Sequence, residues 1–210
     1  MNDYVLYGEP GWGSAIVEAQ LAWYSLPFRF EATGDLLGSE PARDKLRPLN
    51  PVMQVPTLVL PNGTVMTESA AITLHLADLT GRDDLVPGPQ APERAAFLRW
   101  LVFLVANIYP TFTYADVPTR FVKHEEAAKA FLGETNAYAQ RLWLAVEAAA
   151  GTPWFLGARP SALDIYFAVM TKWRPKRAWF EEHAPRVLAA AVAAGALPSV
   201  APVMARNFKA

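Results

Sequence analysis

The residues best placed to do chemistry sit in one stretch, Gln54-Val55-Pro56-Thr57-Leu58-Val59-Leu60-Pro61-Asn62-Gly63-Thr64-Val65-Met66-Thr67-Glu68-Ser69. X-Pro is the one bond for which a cis peptide is cheap. A cis Val55–Pro56 bond would turn the Val55 N–H and C=O outward, unpaired. Pro61-Asn62-Gly63 is a tight-turn signal, because Asn and Gly tolerate positive φ, so Thr57–Leu60 and Thr64–Thr67 read as an antiparallel hairpin. Ser69 then reads as the N-cap of a helix carrying Ala71, Ile72, Leu74, Leu76 and Leu79, with Gly81 as its stop. A helix start offers free N–H donors and a positive dipole end, which hold a carboxylate, while Glu68 beside it holds an ammonium. An α-amino acid head group carries both charges. Capping alone is the plainer role for the Glu68–Ser69 pair.

The elements that must position these groups follow from periodicity. Tyr4–Tyr7 is a short β run stopped by the segment Gly8–Gly13. Ser14–Tyr24 reads as a helix with Ile16, Val17, Leu21 and Tyr24 toward the core, and Phe28–Glu31 as a second strand, parallel to the first through a βαβ crossover. Ser39–Arg47 makes a short charged helix that Asn50-Pro51 breaks. With the hairpin and its helix the order is βαβαββα. Arg82–Pro92, rich in Pro, Gly and Asp, is a linker. Beyond it strand alternation disappears and helical patterns dominate, which is a change of architecture. Glu93–Asn107 carries Phe97, Leu98, Trp100, Leu101 and Leu104, and Pro110 should kink or end that helix. Lys123–Ala150 is a second long helix, ended at Gly151-Thr152-Pro153. Ser161 and Asp164 have capping-box spacing before Ile165–Met170, which is apolar nearly all round and so central to its domain. Pro185–Asn207 gives two Ala-rich helical runs separated at Gly195–Pro198.

The Gln54-Val55-Pro56, hairpin and Glu68-Ser69 order resembles the glutathione-binding half of a cytosolic glutathione transferase, and the resemblance extends over nearly the whole chain. It implies an α/β plus all-α fold: a thioredoxin-like βαβαββα domain over residues 1–81, a linker at 82–91 and an all-helical domain over 92–210 that contributes the electrophile site. It implies glutathione as co-substrate, with Gln54, Val55 and Pro56 forming the loop that meets the cysteinyl unit and Glu68 and Ser69 holding the γ-glutamyl end. Catalysis then requires a donor for the glutathione thiolate. Ser14, at the first helix start, is favoured, where a sulfur anion would feel both the hydroxyl and the dipole; its plainer role is an N-cap. Tyr7, ending the first strand, is the second candidate. Pro10-Gly11-Trp12-Gly13-Ser14 is similar to the Pro-Gly-Ala-Cys-Ser of bacterial beta-type members, with Gly13 at the cysteine position, so mixed-disulfide chemistry through that residue is excluded. The Lys common in the family's Asn-Pro-Lys-Gly-Gln-Val-Pro stretch is missing from Asn50–Pro56, leaving Lys45 or Arg47 for the glycine carboxylate. Trp12, Tyr109, Phe112, Tyr114 and Trp173 are the expected electrophile-pocket residues, and the Ser161/Asp164 turn has a structural, not catalytic, counterpart in the family. A homodimer is implied as well.

Composition narrows the classes. At 210 residues and 52% hydrophobic content the chain can bury a substantial core. Nineteen basic against twenty acidic residues give a formal charge of −1, which offers no global attraction to nucleic acid or anionic membrane, so small molecules or proteins are the expected partners. The sequence contains no signal-peptide pattern, and its longest uncharged apolar candidate, Leu101–Ile108, is far too short for a span, so a cytoplasmic location is expected. Cysteine is absent, so any sulfur chemistry must come from a ligand. His75, His124 and His183 lack metal-ligand spacing, and no metal is expected. Three readings remain. The leading one is a glutathione transferase acting on a small hydrophobic electrophile. The others are a cysteine-independent glutathione-disulfide oxidoreductase and a non-catalytic binding protein of the same fold.

Overall fold

A computed structural model of the protein describes residues 3–208. Contacts divide the chain into two compact units, Met1–Val86 with Ala193–Ala210, and Pro87–Val192. The sequence reading kept the last residues with the helical domain; in the structure Ala193–Ala210 group with the first unit instead. The reason is polar as well as apolar. Glu18, almost fully buried, bonds Arg206 and, at 2.6 Å, the Asn207 amide.

The first unit is a four-stranded mixed sheet in the order β2-β1-β3-β4. Strand β1 (Tyr4–Gly8) runs parallel to β2 (Phe28–Ala32), with Tyr4 opposite Phe28, and antiparallel to β3 (Thr57–Val59), with Leu6 opposite Leu58. β4 (Val65–Met66) closes the hairpin, with Leu58 opposite Met66. The crossover from β1 to β2 is helix α1 (Ser14–Trp23); α2 (Glu40–Leu46) and α3 (Ser69–Thr80) complete the βαβαββα order. Alternation along β1 buries Tyr4, Leu6 and Gly8 on one face and leaves Val5 and Tyr7 half-buried on the other. Leu6, Ile16, Val17, Leu21, Leu58, Ile72 and Leu76 are inaccessible to solvent and form the core between sheet and helices. Gly8 is required by close approach, since a Cβ there would stand 2.3 Å from the Ser14 Cβ.

The capping residues of two helices differ from those the sequence suggests. Gly13, not Ser14, occupies the N-cap of α1, and Glu68, not Ser69, that of α3, each without a side-chain capping bond. Ser39 does cap α2, accepting the Ala42 N–H at 3.3 Å. Gly81 ends α3 in the left-handed conformation, φ 64°.

The second unit is helical. α4 (Arg94–Phe103) runs through a π turn (Leu104–Ile108) into α5 (Tyr109–Asp116), followed by α6 (Glu125–Ala149), α7 (Ala162–Met170) and α8 (Arg177–His183); α9 (Pro185–Gly195) leads back toward α10 (Ala201–Asn207). Of the two outcomes expected at Pro110, a kink or an end, the helix does not end there but is interrupted just before the proline. Its missing N–H falls just after the π turn, where the Tyr109 N–H reaches five residues back to Leu104 and the ladder is already shifted. The resulting 23-residue run Arg94–Asp116 is, by length and composition, long and apolar enough to cross a membrane; the sequence reading, counting only uncharged stretches, stopped at Leu101–Ile108. Phe97, Leu101, Leu104, Ile108 and Phe112 on this run are buried within the unit. Every residue of α7 is buried. It starts in a reciprocal capping box: Asp164 accepts the Ser161 N–H at 2.8 Å and the Ser161 hydroxyl at 3.0 Å, while the Ser161 side chain serves the backbone at Asp164. The other Asp164 oxygen accepts the Phe155 N–H at 2.9 Å, tying in the turn before the helix. Burial pushes the Asp164 carboxyl above its ordinary range and outweighs these hydrogen bonds, which pull the other way.

Candidate functional site

The loop that leads into β3 is built by Asn50, which is buried. Its amide nitrogen donates to the Gln54 carbonyl at 2.9 Å and to the Thr57 hydroxyl at 3.1 Å, and its oxygen accepts the Val52 N–H at 3.1 Å. Thr57 in turn donates to the Gln54 carbonyl at 2.9 Å. Met53 takes a positive φ of 55° to close this turn. The Gln54 carbonyl is thus held inward and the Gln54 side chain is exposed. Val55–Pro56 is cis, and among the described residues the Val55 N–H and C=O make no hydrogen bond. Asn50 and Thr57 are site-building residues that the sequence reading passed over; a buried Asn seven residues before a Thr is visible as a pair only once the loop is folded.

Tyr7 and Trp12 gather beside this loop. With Val55 they pack, each half-buried, on a small apolar cluster of Leu36, Ala42 and Leu46. Tyr7 stands opposite Thr57 in the β1–β3 ladder, which sets its ring one residue from Pro56 in register. Its hydroxyl has no protein hydrogen bond among the described residues. Ser14 is different. It is inaccessible to solvent, and its hydroxyl both donates to the Glu9 carbonyl and accepts the Glu9 N–H, each at 3.2 Å. The turn Glu9–Trp12 is closed by the Trp12 N–H on the Glu9 carbonyl at 3.0 Å, and Ala15 and Ile16 donate back to Trp12 and Gly13. The backbone N–H groups of Gly13 and Ser14 are left without a partner among the described residues, although both residues are buried.

The third group is the start of α3. Continuing the hairpin register from Leu58–Met66, through Thr57–Thr67, sets Pro56 against Glu68, so the loop and the helix start meet at the same end of the hairpin. Glu68 adopts φ 64°, a left-handed conformation that costs a non-glycine residue about 1–3 kcal/mol. Its side chain is exposed and makes no ion pair among the described residues. Ser69 is buried, and its carbonyl accepts the Thr73 hydroxyl at 2.8 Å. Of the two bases near α2, Arg47 is already paired with Glu40 at 2.7 Å and Asp44 at 3.0 Å. Lys45 is exposed and has no such partner among the described residues.

In the second unit Tyr109, Phe112 and Trp173 form one aromatic group, edge to face, with centroid separations of 6.1, 5.6 and 5.1 Å. The Tyr109 hydroxyl is buried without a partner, and burial, then Tyr166, push its pKa upward, so it stays a protonated donor. Tyr114 does not join this group. Five residues on from Tyr109, it falls on another face of α5 and packs with Phe121 and Phe131. Trp12 belongs to the first unit. Among the described residues no group of three or more His, Asp or Glu side chains is placed to hold a metal ion.

Residues 16–79 match the glutathione S-transferase N-terminal domain family. An uncharacterised GST-like protein, YncG, of Escherichia coli strain K12 is 39% identical over 204 residues, covering 96% of this chain and 97% of the relative. Glutathione S-transferase GST-4.5 of Xanthomonas campestris pv. campestris is 29% identical over 172 residues, covering 81% of this chain and 82% of the relative. Among solved structures, a glutathione transferase homolog from Sulfitobacter with bound glutathione superposes with a TM-score of 0.85 at 22% identity, covering 97% of each chain.

Proposed function

The chain belongs to the cytosolic glutathione transferase family, and from that premise we propose that it binds glutathione on its first unit and directs the thiolate at a small hydrophobic electrophile. The reading is supported by one observation: the cis Val55–Pro56 loop leaves the Val55 N–H and C=O without a partner among the described residues, at the same end of the hairpin as the α3 start. The Val55 N–H and C=O pair with the peptide of the cysteinyl unit. The free N–H groups at the α3 start and the Ser69 hydroxyl take the γ-glutamyl carboxylate, and the Glu68 carboxylate takes the ammonium. Lys45, the unengaged base on α2, takes the glycine carboxylate.

The thiol sits by Tyr7 and the N–H groups of Gly13 and Ser14. Hydrogen bonds to a sulfur anion at a helix start lower the thiol pKa and raise the reactive fraction at neutral pH. Ser14 keeps its place in this scheme through its backbone rather than its hydroxyl, which Glu9 engages; Tyr7 supplies the side-chain donor. The thiolate then attacks an electrophilic carbon, the S–C bond forms as the bond to the leaving group breaks, and the thiol proton passes to solvent. The family resemblance assigns the electrophile to aromatic residues of the second unit, for which Tyr109, Phe112 and Trp173 are the candidates. A homodimer and a cytoplasmic location belong to the same reading.

Calorimetric titration with glutathione, followed by turnover of a chlorinated aromatic and of a glutathione mixed disulfide, tests it. Binding and conjugation of the aromatic are expected. Turnover of the disulfide alone identifies a cysteine-independent oxidoreductase, binding without either turnover identifies a non-catalytic binder, and a dissociation constant weaker than about 1 mM overturns the proposal.

A further inference from the structure

We propose that Asn207 is a positioning residue for the glutathione thiol, acting through Gly11 from helix α10, far along the chain from the turn it controls. The inference rests on the glutathione reading above and adds a residue to it. Gly11 holds φ +82°, a conformation open to glycine, and its N–H donates to the Asn207 side-chain oxygen at 3.0 Å. A Cβ at Gly11 would stand 3.3 Å from the Asn207 carbonyl, so the turn lies directly against the end of α10.

Asn207 has no freedom to turn its amide. Its nitrogen donates to Glu18 at 2.6 Å and to the Val203 carbonyl at 2.9 Å, both acceptors, so only its oxygen can face the Gly11 N–H. Glu18 is itself 1% exposed on α1 and is held on its other oxygen by Arg206. Asn207 therefore spans two points of one segment: Gly11, just before Trp12 and the unpaired N–H groups of Gly13 and Ser14, and Glu18, one turn inside the helix those groups begin. That fixes the angle at which the turn enters the helix. Donors aimed at a developing anion lose effect when their supports loosen by fractions of an ångström.

The test is the pH titration of the thiol of bound glutathione, read by thiolate absorbance, with kcat and KM for glutathione beside it. Asn207→Leu fills a similar volume without an acceptor. It is expected to move the titration up by about one unit, a tenfold smaller thiolate fraction at pH well below the pKa, and to lower kcat about tenfold with KM for glutathione little changed, because the Val55 and Glu68 contacts remain. The double variant Glu18→Gln/Asn207→Asp conserves net charge, restores the pair between positions 18 and 207 and keeps an acceptor for Gly11, but loses the donor to the Val203 carbonyl; it is expected to recover part of the shift. Asn207→Leu titrating as wild type, or the double variant shifting as far as Asn207→Leu, overturns the inference while leaving glutathione binding intact. A wild type that does not bind glutathione overturns the functional reading and this inference with it. Should the variants fail to fold, amide exchange in the wild type decides: the Gly11 N–H must exchange more slowly than that of Gly13, and the reverse order overturns the assignment.

Discussion

Exchanging the two candidate hydroxyls one at a time should produce opposite phenotypes. Ser14→Ala removes a hydroxyl that both donates to and accepts from the Glu9 backbone at 3.2 Å in a solvent-free position. The Glu9 carbonyl keeps the Trp12 N–H, but the Glu9 N–H loses its acceptor. At about 0.5–1.5 kcal/mol net per hydrogen bond, the loss is about 1–3 kcal/mol, a fall in melting temperature of roughly 2–4 °C per kcal/mol for a chain of this size. Tyr7→Phe removes a hydroxyl with no protein partner and leaves the ring on Leu36, Ala42 and Leu46, so stability should change by no more than about 0.5 kcal/mol. Function should reverse the order. A hydrogen bond to a thiolate contributes about 1.5–3 kcal/mol, or about one to two units in the titration of the bound thiol. Tyr7→Phe then loses about 10–100-fold in kcat/KM at neutral pH, and the deficit fades as pH rises past the variant's thiol pKa. Ser14→Ala keeps its backbone donors and should stay within about threefold of wild type, under 1 kcal/mol in barrier. Thermal melts and pH–rate profiles of both variants decide. A stable Ser14→Ala with a raised thiol titration, or a Tyr7→Phe fully active at neutral pH, refutes the assignment.

Asn50→Ala removes three hydrogen bonds from a buried amide and should cost about 2–4 kcal/mol with weakened glutathione binding, checked by chemical denaturation and calorimetry. Glu68→Gly relieves the φ of 64° and should hold or raise the melting temperature while glutathione affinity falls tenfold or more; a loss of stability would show that the conformation carries no strain. Asp164→Asn probes the sign of a linkage. Because burial raises the folded-state pKa of Asp164 above its unfolded value, the folded protein holds the proton more tightly. The stability of wild type over Asp164→Asn should therefore be greatest below about pH 4 and shrink as pH rises through the folded pKa; an advantage that grows over that range would reverse the argument.

Local chemistry made the fold readable. Strand alternation at Tyr4–Gly8, the Asn62-Gly63 turn and the Ser161/Asp164 spacing are short-range signals, and each is expressed where sequence neighbours settle the geometry. The first helix begins at Ser14 as the sequence suggests, but the capping positions of α1 and α3 are taken by Gly13 and Glu68 rather than by the serines. Side-chain preference at a cap is worth about 1 kcal/mol, and the Ser14 hydroxyl is instead engaged by the Glu9 backbone. The role of Asn207 and the return of α10 to the first unit were invisible for another reason: they depend on Glu18, nearly two hundred residues away, and no periodicity connects the two.

The strained and buried polar residues of the first unit are not scattered. Met53 and Glu68, both at positive φ, flank the β3–β4 hairpin; buried Asn50 bonds within the Asn50–Pro56 loop, and buried Asn207, itself held by Glu18, bonds Gly11. Met53 and Glu68 depart from what local propensity favours and would be cheaper as glycine if stability alone mattered. What they have in common is the set of unpaired backbone groups they hold in place, at Val55, Gly13 and Ser14. A backbone N–H left open at the surface of a core is costly unless something external completes it. On the glutathione reading proposed above, the ligand completes these groups, and stability should rise on binding by RT ln(1 + [L]/Kd).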